Sequence, residues 1–104
     1  MTTPRTTSTA QSANAAYRRF CERRDPAAIA ELFDLAATDL RRAATHLVGD
    51  AATADDLVQT TFLCVIQSRA FDPTRDVMPW LAGILRNQAS LVHRRRARRF
   101  DPER

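Results

Sequence analysis

Within PWLAGILRNQASLVHRRRARR, residues 79–99, Trp80, Asn87, Arg94 and Arg98 follow one another at spacings of seven, seven and four. On an α-helix those spacings return to nearly the same angle, so the four side chains share one edge. That edge carries a stacking ring, a side-chain amide and two guanidinium forks. An aromatic can receive the face of a base, an amide can read its edge, and arginine can fork onto phosphate. The chemistry is binding rather than catalysis, directed at nucleic acid with exposed bases. Leu81, Ile84, Leu85, Leu91 and Val92 form the apolar stripe that would seat such a helix on a core.

Each residue also has a plainer reading. Trp80, near a helix start, is a candidate core residue that fixes the loop-to-helix geometry. Asn87 has poor propensity for a helix interior, which points to a contact, although a solvated or helix-bonded amide is the alternative. Arg94, Arg95, Arg96, Arg98 and Arg99 wrap more than one face, so they cannot all touch one strand. Two or three of them suit phosphate, against a merely solubilising tail. Phe71 reads either as a core plug or as the wall of a base pocket.

The elements that must position these groups are helical. Only two glycines and few β-branched residues in the periodic segments disfavour sheet. Residues 1–12, rich in Thr and Ser, read as a disordered tail. A short helix follows from Ala13, with Tyr17 and Phe20 on one side. Asp25-Pro26 reads as an N-cap followed by proline at the first helical position, and helical periodicity then runs to Gly49, a left-handed C-cap. It allows one bent helix or two, with the ambiguity near Thr38 and Asp39. Thr53 is the next N-cap candidate, with Asp55 and Asp56 in the first turn and the helix running to about Ala70. Residues 71–76 form a turn or short loop, and Pro79 opens the last helix. The expected fold is all-α, a compact bundle of about four helices over residues 13–99, with residues 100–104 a frayed tail or the start of a linker.

The third helix shows two apolar faces. Val58, Thr61, Phe62, Val65 and Ile66 form one, which should be its core side. Leu57, Thr60, Leu63 and Cys64, with Asp56, form the other. Either the helix is buried on both sides, or the second face binds a partner, with Asp55 and Asp56 as an acidic rim and Gln59 as a hydrogen-bonding residue.

A chain of 104 residues makes one domain. Its net charge of +4 hides an asymmetry: residues 86–99 hold six arginines and no acid, residues 50–56 three acids and no base. Two partners of different charge would explain this, as would a solvated tail beside an ordinary helix cap. All sixteen basic residues are arginine, a bias spread along the whole chain and so without functional meaning here. Cys21 and Cys64 are isolated, which gives no disulfide framework and no metal-ligand spacing with His46 and His93. No cofactor is implied, and no nucleophile–base set or phosphate loop suggests an enzyme. The N-terminus lacks the apolar region of a secretory signal, and no run approaches membrane-spanning length. A cytoplasmic protein without membrane contact is the simplest expectation.

GDAATADDLVQTTFL, followed by AFDPTRDVMPWLAGILRNQASLVHRRRAR, closely resembles the second conserved region of bacterial RNA polymerase sigma factors of the extracytoplasmic-function group. The ordered set is a Gly-Asp, an acidic pair before Leu-Val-Gln, a Thr-Phe, a Phe and loop, a Trp-Leu, an Arg-Asn and a run of arginines. It covers about residues 17–99. The resemblance implies a sigma region-two fold whose third helix packs on the clamp helices of the polymerase β′ subunit. Asp55, Asp56, Leu57, Gln59, Thr60 and Leu63 are the carriers of that contact. It implies further that residues 71–78 and the last helix open the promoter minus-ten element and capture a base of the non-template strand. Phe71, Trp80, Arg86, Asn87, Arg94, Arg95 and Arg98 are the candidate DNA contacts. Extruding a base costs a few kcal/mol, and stacking on an aromatic returns roughly 1–3 kcal/mol. An anti-sigma factor is a further partner the resemblance raises.

Three departures stand out. Thr60 replaces a Glu frequent in the family, which leaves the acidic contact to polymerase either weaker or differently distributed. Leu91 replaces an Asp that could pair with the arginine run. The chain stops at Arg104, where the family continues into a helix-turn-helix domain, so minus-thirty-five recognition is not expected from these residues. Two rival readings are a helical regulator acting on duplex DNA without polymerase, and a protein-interaction module with a solubilising tail. The first predicts tight, sequence-specific binding to duplex, and the second predicts indifference to changes at Asn87 and Arg94.

Overall fold

The computed structural model describes residues 5–69 and 71–99, with side chains from residue 9 onward. Four α-helices follow in order: α1 (Arg5–Arg23), α2 (Pro26–Val48), α3 (Ala51–Gln67) and α4 (Val77–Arg99). The described residues contain no strand. The all-α bundle is therefore present as the residue pattern implies.

Helix α2 is the spine. Asp25 caps it in an extended conformation and accepts a hydrogen bond from the Ala27 N–H at 3.0 Å, with Pro26 opening the helix. Gly49 closes it at φ 85°, its N–H donating to the Thr45 carbonyl at 2.8 Å. Between these caps the helix is continuous, and Ala28, Leu32, Ala36, Leu40, Ala44 and Val48 form its buried stripe. Small alanines at alternate positions allow close approach of its neighbours. Both α2 and α4 pack against all three other helices, whereas α1 and α3 do not pack on each other. Tyr17, Leu32, Val58, Leu81 and Leu85 lie fully buried where these helices meet. Each such aliphatic side chain contributes roughly 1.5–3 kcal/mol relative to exposure.

Several boundaries differ from the sequence reading. Helix α1 starts at Arg5 rather than Ala13, so residues 5–12 are helical and only residues 1–4 of the expected tail lie outside the described residues. Ala13, Ala16, Tyr17 and Phe20 are buried. Once that packed segment nucleates the helix, extension toward the N-terminus costs little. Residues 100–104 also lie outside the described residues.

The cap of α3 is Asp50, not Thr53: the Asp50 Oδ1 accepts the Thr53 N–H at 2.7 Å, which places Asp55 and Asp56 beyond the first turn. The helix ends at Gln67, three residues short of the expected Ala70. Helix α4 starts at Val77, with Pro79 its third residue, where a missing N–H is harmless.

Burial on α3 also departs from the two-face pattern. Leu57 is only 4% exposed, because α4 crosses that side of the helix, whereas Ile66 is 39% exposed near the end of α3. Leu57 therefore belongs to the interior rather than to an outer contact face.

Candidate nucleic-acid and partner surfaces

Helix α4 carries the strand-binding candidates, and its two ends are fixed by different means. At the N-terminal end, Val77 is fully buried and its N–H donates to the Asn14 Oδ1 at 2.8 Å. Trp80, half-buried, packs on Tyr17 with ring centroids 5.4 Å apart, and the Arg75 guanidinium lies 3.9 Å from the Trp80 ring centroid. Its ring thus already has partners inside the protein, as the geometry-fixing reading of Trp80 requires.

The preceding loop is equally organised. The Asp72 carboxylate accepts from the Thr74 N–H at 3.0 Å and the Thr74 hydroxyl at 2.6 Å, while the Arg75 N–H donates to the Asp72 carbonyl at 3.0 Å. The Thr74 hydroxyl and N–H hold the Asp72 carboxyl below its ordinary pKa. Phe71 meets Phe20 edge-on at 5.8 Å, and the Arg24 guanidinium covers both rings at 4.4 and 4.5 Å. Arg24 also donates to the Ile66 carbonyl at 3.3 Å, from a backbone at φ 52° that non-glycine residues seldom adopt.

Past this anchored start, Pro79, Trp80, Gly83, Ile84, Arg86 and Asn87 line an open groove of about 390 Å³. Asn87 and Arg86 are exposed, as are Arg94, Arg95 and Arg98. Asn87 is therefore available to a ligand and is not spent on the core. Arg94 and Arg98 continue the Trp80–Asn87 row at helical spacing. Arg95 does not: with Arg99, Gln88 and Leu91 it faces α3 across a second groove of about 460 Å³, opposite Asp56 and Thr60 and above Leu57.

The α3 candidates thus separate. Asp56 and Thr60 line that second groove, with Leu57 as its floor. Gln59 is exposed, and Leu63, at 54% exposure, is the most exposed large apolar side chain of the described residues. Asp55 is exposed but paired with Arg41 of α2 at 2.6 Å. Gln88 of α4 donates to the Cys64 sulfur at 3.7 Å, tying the two helices together below the groove.

Arg96 has a separate function that the arginine run conceals. Its guanidinium donates to the Val48 carbonyl at 2.8 Å, the Asp50 carboxylate at 2.9 Å and the Thr53 hydroxyl at 3.4 Å. It joins the end of α4 to the corner between α2 and α3. The Asp50 carboxyl is held below its ordinary pKa by the Thr53 N–H and hydroxyl, with Arg96 adding to the effect. A sequence signal for this existed: Arg96 continues the buried register Leu81, Leu85, Ala89 in steps of four and seven. Asn14 had no such signal, because its partner lies 63 residues away.

Residues 32–103 match the family model described as Sigma-70 region 2. The chain belongs to the sigma-70 region 2 family. Within this region 2 domain, α3, the loop and the described part of α4 all lie inside the matched segment, while α1 and the turn into α2 precede it. The RNA polymerase sigma factor CarQ of Myxococcus xanthus is 38% identical over 71 residues, covering 65% of this chain and 41% of that protein. The domain therefore spans about two fifths of the length of that relative. No solved structure matches the chain. No helix among the described residues is long and apolar enough to cross a membrane.

Proposed function

We propose that this domain acts in transcription initiation as the part of a sigma factor that binds core RNA polymerase and reads and melts the promoter minus-ten element through the non-template strand. Membership of the sigma-70 region 2 family supports the class of function. The observation that carries the strand-reading half is the exposed Asn87, set on an open groove behind a buried, multiply anchored helix start.

Each group has a task in this reading. Asn87 reads the edge of an unstacked base, Arg86, Arg94 and Arg98 hold phosphates, and Trp80 with Phe71 fixes the loop and the groove floor. Arg95 stands at the junction of the two surfaces, where a phosphate and a protein partner would meet. Polymerase contact falls to Asp56, Gln59, Thr60 and Leu63, facing the clamp helices of the β′ subunit, with Asp55 at the rim and Leu57 supporting from below. An anti-sigma factor that covered Leu63 and Asp56 would block the same contact.

The test uses one oligonucleotide sequence as single strand and as duplex at one fixed salt concentration, since phosphate contacts make affinity salt-dependent. Preference for the single strand, weakened several-fold by Asn87→Ala with an unchanged melting temperature, is the expected result. Tight duplex binding with no response at Asn87 would overturn it. In parallel, Leu63→Glu and Asp56→Arg should abolish binding to core polymerase while the circular dichroism spectrum is retained.

A further inference from the structure

The loop and the start of α4 pack on α1, a helix that precedes the matched segment. Resting on the proposed function and going beyond it, we propose that α1, through Asn14, is the positioning element that sets the reading loop and the start of α4.

The need is evident from Val77. A helix leaves its first N–H groups without internal partners, and a buried one requires an acceptor. Val77 is fully buried. Its acceptor is not a neighbouring residue but the Asn14 Oδ1 of α1, at 2.8 Å, so α4 has an N-cap supplied from another helix. The Asn14 amide nitrogen lies 3.5 Å from the Asp76 carboxylate, on the last residue of the loop. One acceptor and one donor of a single side chain therefore bracket the point where loop becomes helix.

The rest of that face of α1 repeats the arrangement. One turn on, Tyr17 packs on Trp80, and a further turn on, Phe20 packs on Phe71 at the other end of the loop. Both ends of residues 71–76 are thus referenced to one rigid rod. A displacement of α1 would move Trp80 and Phe71 together, and with them the groove that holds Asn87. The residues that form this reference frame on α1 precede the matched segment, 32–103.

The full chain and its variants would be offered a random-sequence pool of single-stranded DNA, and the enriched bases read out beside the hydrogen exchange of the Val77 amide. Asn14→Ala should raise Val77 exchange several-fold and lower base enrichment several-fold, with binding to a fixed single strand of unenriched sequence unchanged. Asn14→Asp combined with Asp76→Asn, which keeps the acceptor for Val77 and reverses the amide–carboxylate pair, should restore both. Ala43→Gly, at an exposed position within α2, destabilises the fold through helix propensity and should leave enrichment intact. Asn14→Gln, which displaces the amide by one methylene, applies the same test if the alanine variant melts too low. Enrichment retained in Asn14→Ala, or lost equally in Ala43→Gly, would overturn the positioning role alone. A wild-type chain that enriches no sequence would overturn the strand-reading function, and this inference with it.

Discussion

The two ends of α4 are held by opposite kinds of force. At Val77 the anchor is a buried backbone, an amide borrowed from α1 and an aromatic pair, Tyr17 on Trp80. At Arg96 it is a guanidinium fanned over a carbonyl, a carboxylate and a hydroxyl at the α2–α3 corner, with both charged partners partly in solvent. Apolar burial and a short hydrogen bond respond little to salt, whereas a half-exposed ion pair is screened. The helix thus has a stiff end where bases would be read and a tunable end where phosphates would be held.

The largest effect expected from this contrast is at Tyr17. Truncation to Ala removes a fully buried ring under Trp80 and should cost about 3–5 kcal/mol in urea unfolding, with the loss nearly independent of salt. Arg96→Ala should lower the melting temperature by several degrees at low ionic strength and by much less at high salt. A salt-independent loss would show that Arg96 acts through packing instead. Gly49→Ala places a side chain at φ 85°, where a Cβ meets no neighbouring atom, so the cost is conformational alone. It should amount to about 1 kcal/mol, or roughly 4–8 °C in melting temperature.

The smallest expected effect is Tyr17→Phe. The Tyr17 hydroxyl is buried beside Cys21 and the Asp72 backbone without a well-formed hydrogen bond to either, so its removal should be neutral or stabilising by up to about 1 kcal/mol.

The same contrast extends to pH. Burial raises the Tyr17 hydroxyl above its ordinary pKa. A raised folded pKa gives stability that is complete below about pH 10 and lost as pH rises through the folded value. Asp50 is depressed instead, so its contribution is complete above about pH 4 and lost as pH falls through the folded value. Asp72 in the reading loop behaves as Asp50 does. Tyr17→Phe should therefore flatten the alkaline limb of a stability–pH curve, and Asp50→Asn should shrink the acid limb to the part that Asp72 supplies, each leaving the opposite limb in place.

Much of this was legible in the chain. The caps at Asp25 and Gly49 follow from local chemistry, since an aspartate before proline and a glycine after an apolar run each satisfy helix-end groups within a few residues. The Trp80–Asn87–Arg94–Arg98 row follows from helical spacing. Thr53 misled because Asp50, three residues earlier, caps the helix as readily, and the backbone there decides which of the two turns out of the helix. Leu57 misled because a periodicity shows that two faces are apolar and not which of them a neighbouring helix covers. Arg96 was hidden in a run of like residues.

Local sequence determined what can be settled within a turn of helix: the four-helix class, the ends of α2, and the alignment of ring, amide and guanidinium on one rod. Tertiary structure alone decided which groups are spent inside the protein and which remain free. It buried Leu57, gave Arg96 to a corner 48 residues away and gave Asn14 to Val77. The physical reason is range: capping and periodicity act between neighbours in sequence, whereas burial and long-range hydrogen bonds depend on where distant helices come to rest.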